Sequence, residues 1–348
     1  MRSLWSAIGI ALLTAGLSLP TPAQLPAEPA VRLSATFLQL WADHWNWPAE
    51  RWLEMFRHFE ALGIQEIYVQ WSLYDEISYA APGPRTAGRT PPLATVMRLA
   101  AERRMKVHLG LSFQGDFWQQ AKPGPHLGAY LAAQRRRSLA IATDCAALYG
   151  HHPAFEGWYV AEEIDDLMWP AGEARQHLHL HLRELMQGLR RLTPGRAISI
   201  SGYAGARSDP ARLAAFWQEL LAQAPFETVM FQDGIGVGNL PLAYLRQYLE
   251  AMASATRQAS ARLRVIVETF RQVDGTFNGR SFRALPVPLA FLLPQLETAA
   301  PYSSGGLVAF SVPEYLTPLG GRDAAESYLA YLDWLRTAGV AALSRLEN

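Results

Sequence analysis

Two glutamates at the ends of apolar runs are the residues of this sequence best suited to acid–base chemistry. Glu163 ends the run 157–163, and Glu268 ends the run 265–268. Both runs have the composition of buried strands, so each carboxyl group would stand at a strand end. Hydrolysis of a glycosidic bond uses such a pair, because one carboxyl group protonates the leaving oxygen and the other attacks the sugar or activates water. The pair therefore predicts a glycoside hydrolase.

Other predicted strand ends carry amide, carboxylate and aromatic side chains, and cationic side chains are scarce there. Sugars are neutral polyols with apolar faces, so amides, carboxylates and flat aromatic rings suit them. A phosphate site would instead need glycine-rich turns or clustered arginines and lysines. We therefore expect a poly- or oligosaccharide substrate, bound through Trp41, Asp43, Gln70, Trp71, Gln114, Trp118, Glu162, Tyr203, Gln232 and Asp233.

A β-prone run alternates with a longer helical pattern eight times from residue 33 onward. The runs predict strands at 33–40, 66–72, 106–113, 155–164, 197–203, 228–233, 263–270 and 306–312. The patterns between and after them predict helices at 48–62, 93–104, 129–149, 175–192, 210–223, 242–259, 287–299 and 324–337. Eight such units match a single (β/α)8 TIM barrel, whose functional groups lie at the carboxyl ends of the strands. A doubly wound open sheet is the main alternative fold, but the first strand lacks the glycine-rich turn usual there.

The charge balance argues against a nucleic-acid partner. Lys and Arg number 31 and Asp and Glu number 31, so the formal net charge at pH 7 is +0, whereas a nucleic-acid binder usually has a basic excess. The single cysteine, Cys145, excludes an internal disulfide and a multi-cysteine metal site. Residues His177, His179 and His181 do not share one helix face, because a two-residue step turns by about 200°. We expect them on a helix surface, and we predict neither a metal nor a cofactor.

The first 23 residues predict a signal peptide. Arg2 gives a positive start, an apolar stretch runs to Leu19, and residues 21–23 end in a small-x-small pattern. The apolar stretch is short for a membrane span and lacks a charged flank, so we expect cleavage after Ala23. Residues 24–32 then form a Pro/Ala-rich lead-in, and the barrel is expected over 33–340. The mature chain is expected to be periplasmic or secreted, with no membrane contact after cleavage.

Two strand-end motifs resemble those of clan A glycosidases. Residues 157–163, Gly-Trp-Tyr-Val-Ala-Glu-Glu, are similar to the strand-4 signature that ends in Asn-Glu, and residues 265–270, Val-Ile-Val-Glu-Thr-Phe, to the strand-7 signature. With Glu-Glu-Ile-Asp at 162–165 and Phe-Gln-Asp-Gly at 231–234, nearly the whole mature chain resembles a secreted bacterial family of glycosidase-like TIM barrels, domain of unknown function 4434. The resemblance implies that Glu163 is the acid/base, that Glu268 is the nucleophile and that the reaction is retaining.

The sequence departs from the clan A pattern at three strand ends. Glu162 stands where the clan has an asparagine that holds the sugar 2-hydroxyl. Gln232 and Asp233 stand where a tyrosine or histidine supports the nucleophile. The eighth strand offers Ser311 and Val312 where a tryptophan forms the floor of the sugar site.

Three alternatives stay open at this stage. Adjacent strand residues point to opposite faces, so Glu162 and Glu163 cannot both face the barrel unless the strand has ended or bulged. We assign Glu163 by the resemblance and keep Glu162 as the alternative acid/base. Glu162, Asp165 and Asp166 would otherwise form a solvated acidic loop or a helix cap. The alternative functions are a non-catalytic carbohydrate-binding barrel of a polysaccharide export or assembly system and, less closely, a polysaccharide lyase or deacetylase.

Overall fold

Each predicted strand contributes to one closed barrel of eight strands in the computed structural model, which describes residues 31–206, 208–274 and 282–346. Neighbouring strands pair in parallel, and the order around the barrel follows the order along the chain. The strands are β1 (Leu33–Leu38), β2 (Glu66–Val69), β3 (Lys106–Gly110), β4 (Phe155–Ile164), β5 (Ala197–Gly202), β6 (Thr228–Gln232), β7 (Arg262–Glu268) and β8 (Leu307–Phe310). The predicted (β/α)8 fold is confirmed; the predicted signal peptide, residues 1–23, lies outside the described residues.

A long helix follows each strand and covers the outside of the barrel. The helices are α1 (Ala49–Ala61), α2 (Pro92–Glu102), α3 (Leu127–Tyr149), α4 (Glu173–Leu192), α5 (Pro210–Gln223), α6 (Leu242–Gln258), α7 (Leu289–Ala299) and α8 (Arg322–Leu346). In α1 the buried side chains are Trp52, Met55, Phe56 and Phe59, which recur at the spacing of one helix face. Within the described residues, no helix is both long and apolar enough to cross a membrane.

Apolar side chains fill both sides of the sheet. Inside the barrel, Phe37, Tyr68, Tyr159, Met230 and Ile266 belong to one buried cluster. Outside, a larger cluster joins the strands to the helices and continues around the whole barrel. Because side chains fill the interior, the barrel has a packed core and not an open channel within the described residues.

A buried ionic cluster closes the end of the barrel where the strands begin. Arg264 donates hydrogen bonds to Glu66 at 2.5 Å and to the Tyr68 hydroxyl at 3.1 Å. The His108 ring stacks on Tyr68 and lies 3.4 Å from the Glu66 carboxylate. Although burial alone would raise the pKa of Glu66, the His108 hydrogen bond and the Arg264 charge lower it to about 2. The Glu66 carboxylate at this end of the barrel is therefore ionised, and Arg264 and His108 compensate its charge.

Additional short elements extend the opposite end, where the strands finish. Leu73–Tyr74, Ile77–Ser78 and Ser112–Phe113 form one small sheet, and Phe270–Asp274 pairs antiparallel with Arg283–Pro286 in another. Short helices at Phe117–Gln120 and Val312–Tyr315 follow β3 and β8. These insertions raise walls around the rim on which the predicted site residues lie.

Replacing Arg264 with alanine should strongly destabilise the barrel, because it leaves the Glu66 charge partly buried without its cationic partner. We expect a loss of about 3–5 kcal/mol in the free energy of unfolding, as for other broken buried ion pairs. Chemical denaturation measures the loss. Arg262→Ala is the matched control, since Arg262 lies on the same strand but is exposed, and it should change stability by less than about 0.5 kcal/mol. Equal stabilities of the two variants would contradict a structural role for the cluster.

Candidate active site

A cavity of about 470 Å³ opens at the carboxyl ends of the barrel strands. Its volume falls in the range of small-molecule sites. Seven of the side chains expected to act on or bind substrate line it together: Trp41, Gln70, Trp71, Trp118, Glu163, Gln232 and Glu268. Five do not line it: Asp43, Gln114, Glu162, Tyr203 and Asp233.

The two consecutive glutamates near the end of β4 face opposite sides of the sheet, next to an irregularity in the strand pairing. In the ladder with β5, Val160 pairs with Ile200 and the next paired residue of β4 is Glu163, opposite Ser201. The two intervening residues are accommodated by a register shift of the kind that β-bulges produce. The alternation of β4, with Tyr159 and Ala161 inside the barrel, continues to Glu163, which lines the cavity, while Glu162 contacts the helix layer outside the barrel. Of the two glutamates, Glu163 is therefore the one that faces the cavity.

Glu162 forms a buried pair with a histidine of α4. Its Oε1 lies 3.1 Å from Nε2 of His181, and the two side chains are 2% and 1% exposed. His181 donates its Nδ1–H to the Leu131 carbonyl of α3 at 3.1 Å, because a carbonyl oxygen can only accept. The expected contact of Glu162 with a sugar hydroxyl is therefore not possible in this structure. The expectation that the three histidines of α4 lie on its surface is wrong for His179 and His181, which are buried.

Glu163 lies between two side-chain amides. Gln70 donates a long hydrogen bond of 3.5 Å from Nε2 to Oε1 of Glu163, and Gln232 forms a second hydrogen bond to the carboxyl group. Burial raises the pKa of Glu163 to about 7, and the Gln232 hydrogen bond opposes that rise. A carboxyl group with this pKa keeps a proton near neutral pH, which is what a general acid needs.

Glu268 is held by backbone amides at the end of β7. It is 2% exposed, and its Oε2 accepts a hydrogen bond of 2.8 Å from the Val237 N–H. Burial and the negative charge of Asp233 raise its pKa, while amide hydrogen bonds from Val237 and Gly236 favour the ionised form. A Cβ atom at Gly236 would lie 2.8 Å from Cβ of Glu268 and 2.4 Å from the Phe270 carbonyl oxygen. Glycine at this position therefore permits the close approach of the loop to Glu268.

Asp233 lies behind Glu268 and has no exposed surface. Its Oδ1 accepts hydrogen bonds of 3.3 Å from the backbone N–H groups of Ile235 and Glu268, and its Oδ2 has no hydrogen-bond partner. Burial raises the pKa of Asp233 to about 7. The structure thus places Asp233 as a support of the Glu268 backbone and not at the cavity surface, where a hydroxyl contact was expected.

The other three expected binding residues also lie away from the cavity surface. Asp43 is 66% exposed and accepts a hydrogen bond from the Trp47 indole N–H at 3.1 Å. Gln114 belongs to the turn before a short helix, where its carbonyl accepts the Phe117 N–H. Tyr203 contacts the edge of the Trp118 ring and is hydrogen-bonded to Asp165. Tyr203 therefore supports a wall of the cavity from behind.

The acidic residues that follow Glu163 do not form a solvated loop. Asp165 and Asp166 are 5% and 0% exposed. Asp165 accepts the backbone N–H groups of Leu167 and Met168 and so caps a local turn. Asp166 accepts the Ser208 hydroxyl at 2.6 Å. Both carboxyl groups thus stabilise the loop between β4 and α4, well before that helix begins.

Aromatic rings make up much of the cavity wall. Trp41, which is 37% exposed, packs edge-on against Trp71 at 5.0 Å and against Tyr74 at 5.3 Å. The Trp71 indole N–H donates to the Leu40 carbonyl at 2.7 Å, which fixes that ring. A second aromatic group contains Phe270, which packs on Tyr315 at 5.0 Å. Such rings offer flat apolar faces on which sugar rings stack.

Sequence analysis missed one carboxyl group that lines the cavity. Glu314 lies in the short helix after β8 and accepts a hydrogen bond from the Ser311 hydroxyl. Burial raises its pKa to about 7. Its position just past the eighth strand was the one sequence signal that indicated a place at the rim. The short helix that turns its side chain inward is too short to show a periodic pattern of apolar residues. The missed aromatic lining residues are Tyr74, Phe113, Phe270, Phe282, Phe310 and Tyr315.

The chain matches the family described as a domain of unknown function (DUF4434) over residues 33–320. The uncharacterized protein YbcH of Escherichia coli strain K12 is 28% identical over 242 residues, which cover 68% of this chain and 75% of YbcH. Among solved structures, a proposed α-L-fucosidase of Bacteroides thetaiotaomicron has a TM-score of 0.72 at 18% identity, covering 94% of this chain and 99% of that chain. A β-galactosidase of the psychrophilic Marinomonas ef1 has a TM-score of 0.54 at 14% identity, covering 90% and 60%. At these identities the two structures establish a shared barrel fold.

His181→Ala should destabilise the protein, because it leaves the Glu162 carboxyl group buried without a partner. We expect the free energy of unfolding to fall by about 3–5 kcal/mol, measured by chemical denaturation. His177→Ala is the matched control on the same helix, since its side chain is 32% exposed and pairs only with the exposed Glu173; it should cost less than about 1 kcal/mol. A His181 variant as stable as the control would show that the pair does not hold the end of β4.

Proposed function

The chain belongs to the DUF4434 family, as its strand-end motifs predicted, and we propose that it is a glycoside hydrolase with a retaining mechanism. The observation that carries the proposal is that Glu163 and Glu268 line the same cavity, together with tryptophan rings and side-chain amides. The glycosidase names of the structural neighbours support the reaction class. A poly- or oligosaccharide would be the substrate.

In the proposed reaction the two glutamates divide the acid and nucleophile roles. Glu163 holds a proton because burial raises its pKa to about 7, and it would give that proton to the leaving glycosidic oxygen. Glu268 would attack the anomeric carbon as a carboxylate, forming a glycosyl ester while the bond to the leaving oxygen breaks. Water would then attack the anomeric carbon while Glu163 takes its proton, and the bond from that carbon to Glu268 would break, releasing Glu268 as a carboxylate.

The reaction needs Glu268 to be ionised, although burial and the charges of Asp233 and Glu163 raise its pKa. Three neighbouring carboxyl groups, Glu163, Glu268 and Asp233, repel one another's charges and cannot all ionise at neutral pH. Glu268 receives amide hydrogen bonds from Val237 and Gly236, which favour its charged form. The proposal therefore places a proton on Asp233, whose pKa burial raises to about 7 and whose Oδ2 has no hydrogen-bond partner, and the charge on Glu268.

We also propose that the protein acts in the periplasm or outside the cell. The support is the signal-peptide pattern of residues 1–23, with its positive start, apolar stretch and small residues before Gln24. Expression of the full chain in a Gram-negative host, followed by cell fractionation and N-terminal sequencing, tests it. We expect a mature chain that begins at Gln24 and is found outside the cytoplasm; an unprocessed cytoplasmic chain would contradict export.

Glu163→Gln and Glu268→Gln should each lower turnover by at least about 100-fold, because each removes a group that acts on the reacting bond. A panel of aryl glycosides and bacterial exopolysaccharides, assayed for reducing ends, measures the loss. Glu173→Gln, at a side chain that is 86% exposed, is the control and should match wild type. Azide should restore turnover of an aryl glycoside by Glu268→Ala, since the small anion takes the place of the lost nucleophile.

The same experiment separates hydrolysis from binding without catalysis. If the wild-type protein binds a polysaccharide but releases no reducing ends, and Glu268→Gln binds it equally well, the carbohydrate-binding alternative is correct. If wild type and both variants release reducing ends alike, the assigned carboxyl groups are not the catalytic pair.

Activity should fall as the pH rises through about 7, because Glu163 then loses the proton that it must donate. Gln232 stabilises the ionised form of Glu163 by a hydrogen bond. Gln232→Leu should therefore raise the pKa of the acid and move the basic limb upward by roughly 0.5–1 pH unit. The pH profile of kcat/KM measures the shift. A basic limb that stays fixed or moves downward would show that another group is the acid.

A further inference from the structure

The cavity contains more acidic groups than hydrolysis of a glycosidic bond requires. Glu163, Glu268 and Glu314 all line it, and the described lining includes no Lys, Arg or His. Glu163 and Glu268 suffice for the proposed reaction. Glu314 is therefore a surplus carboxyl group in direct reach of a bound ligand, without a positive charge from the protein beside it.

Glu314 is fixed in position by its neighbours. The hydroxyl of Ser311, which is fully buried, donates a hydrogen bond to Oε2 of Glu314. The Ser311 carbonyl in turn accepts a hydrogen bond of 3.3 Å from the Thr269 hydroxyl. Tyr315, the next residue, lines the cavity and packs on Phe270. The carboxyl group thus belongs to an ordered wall and is not a mobile surface side chain.

The cavity also contains a hydrogen-bond acceptor that receives no hydrogen bond, the side-chain oxygen of Gln70. Gln70 lines the cavity and is 5% exposed; its Nε2 donates to Glu163, but its Oε1 has no hydrogen-bond partner. A buried polar atom without a partner costs free energy, and a ligand that supplies the missing hydrogen removes that cost. Carboxylate and amide oxygens together favour a ligand group rich in donors.

A primary ammonium group has the required chemistry. It carries a positive charge and three N–H donors and has no acceptor, so it complements an acidic, acceptor-rich cavity with aromatic walls. A uronic acid would instead bring a further carboxylate into a cavity that Glu163, Glu268 and Glu314 already line. A metal ion is a poorer match, since the described residues contain no group of three or more His, Cys, Asp or Glu side chains arranged to hold one.

We propose that the cavity binds a sugar residue that carries a free amino group, with Glu314 as the carboxylate partner of its ammonium group. The proposal rests on the proposed function, whose substrate class it narrows to a polymer or oligomer that contains unacetylated amino sugars. Binding is measured separately from hydrolysis, so a failure of one does not decide the other.

The test compares methyl glycosides of amino sugars with those of their parent sugars in the gluco, galacto and manno configurations. Tryptophan fluorescence reports binding, because Trp41, Trp71 and Trp118 line the cavity. We expect at least one amino sugar to bind about ten-fold more tightly than its hydroxyl parent, as one charge-assisted hydrogen bond allows. N-acetylation of the same sugar should remove the preference, and high salt should weaken it.

Two variants assign the preference to Glu314. Glu314→Gln should reduce the ratio of amino-sugar to parent affinity to about two-fold or less, while Glu314→Asp, which keeps the charge, should retain a measurable preference. Glu173→Gln is the control and should keep the wild-type ratio. The proposal is wrong if no amino sugar binds better than its parent in any of the three configurations, or if Glu314→Gln keeps the wild-type ratio. If circular dichroism shows that Glu314→Gln has lost the fold, Glu314→Asp decides the test instead. Its ratio of amino-sugar to parent affinity must then lie below the wild-type ratio.

Discussion

The chemistry of the rim depends on the end of β4, where consecutive side chains face opposite sides of the sheet. Tyr159 and Ala161 belong to the cluster inside the barrel, and Val160 belongs to the cluster outside it. Glu162 continues the outward series and lies 3.1 Å from His181 of α4, whereas Glu163 continues the inward series and lines the cavity. His181 is itself fixed by the Leu131 carbonyl of α3. Two helices of the outer layer thus hold Glu162 away from the cavity that Glu163 lines.

The carboxyl groups of the cavity are buried without a cation among the described lining residues, and this gives the cavity its acid–base character. Glu163 and Glu314 have pKa values near 7 because burial removes water and the described cavity lining brings no cation. The folded-state pKa of each lies above its value in the unfolded chain, so their contribution to stability is full in acid and is lost as pH rises through about 7. The site therefore costs stability at neutral pH, and the well-packed barrel interior offsets that cost.

The barrel fold could be predicted from the sequence because the patterns that indicate its strands and helices are local and are repeated eight times. Alternation of β-prone runs with helical periodicity survives in every unit, and the parallel barrel then fixes which strand ends meet. The side chains beyond the strand ends were less predictable. Glu162 and Asp233 occupy strand-end positions yet do not line the cavity, because Glu162 faces the helix layer and Asp233 accepts backbone hydrogen bonds behind Glu268. Glu314 enters through a helix of four residues, too short to have a period.

The two ends of the barrel show that position, and not residue type, decides what a glutamate can do. At the end where strands begin, Arg264 and His108 hold the pKa of Glu66 at about 2, so that carboxylate is charged at neutral pH. At the end where strands finish, Glu163 has apolar and amide neighbours in place of an arginine, and it can change its protonation state near neutral pH. An arginine introduced beside Glu163 would lower the pKa of its carboxyl group and so remove that difference between the two ends.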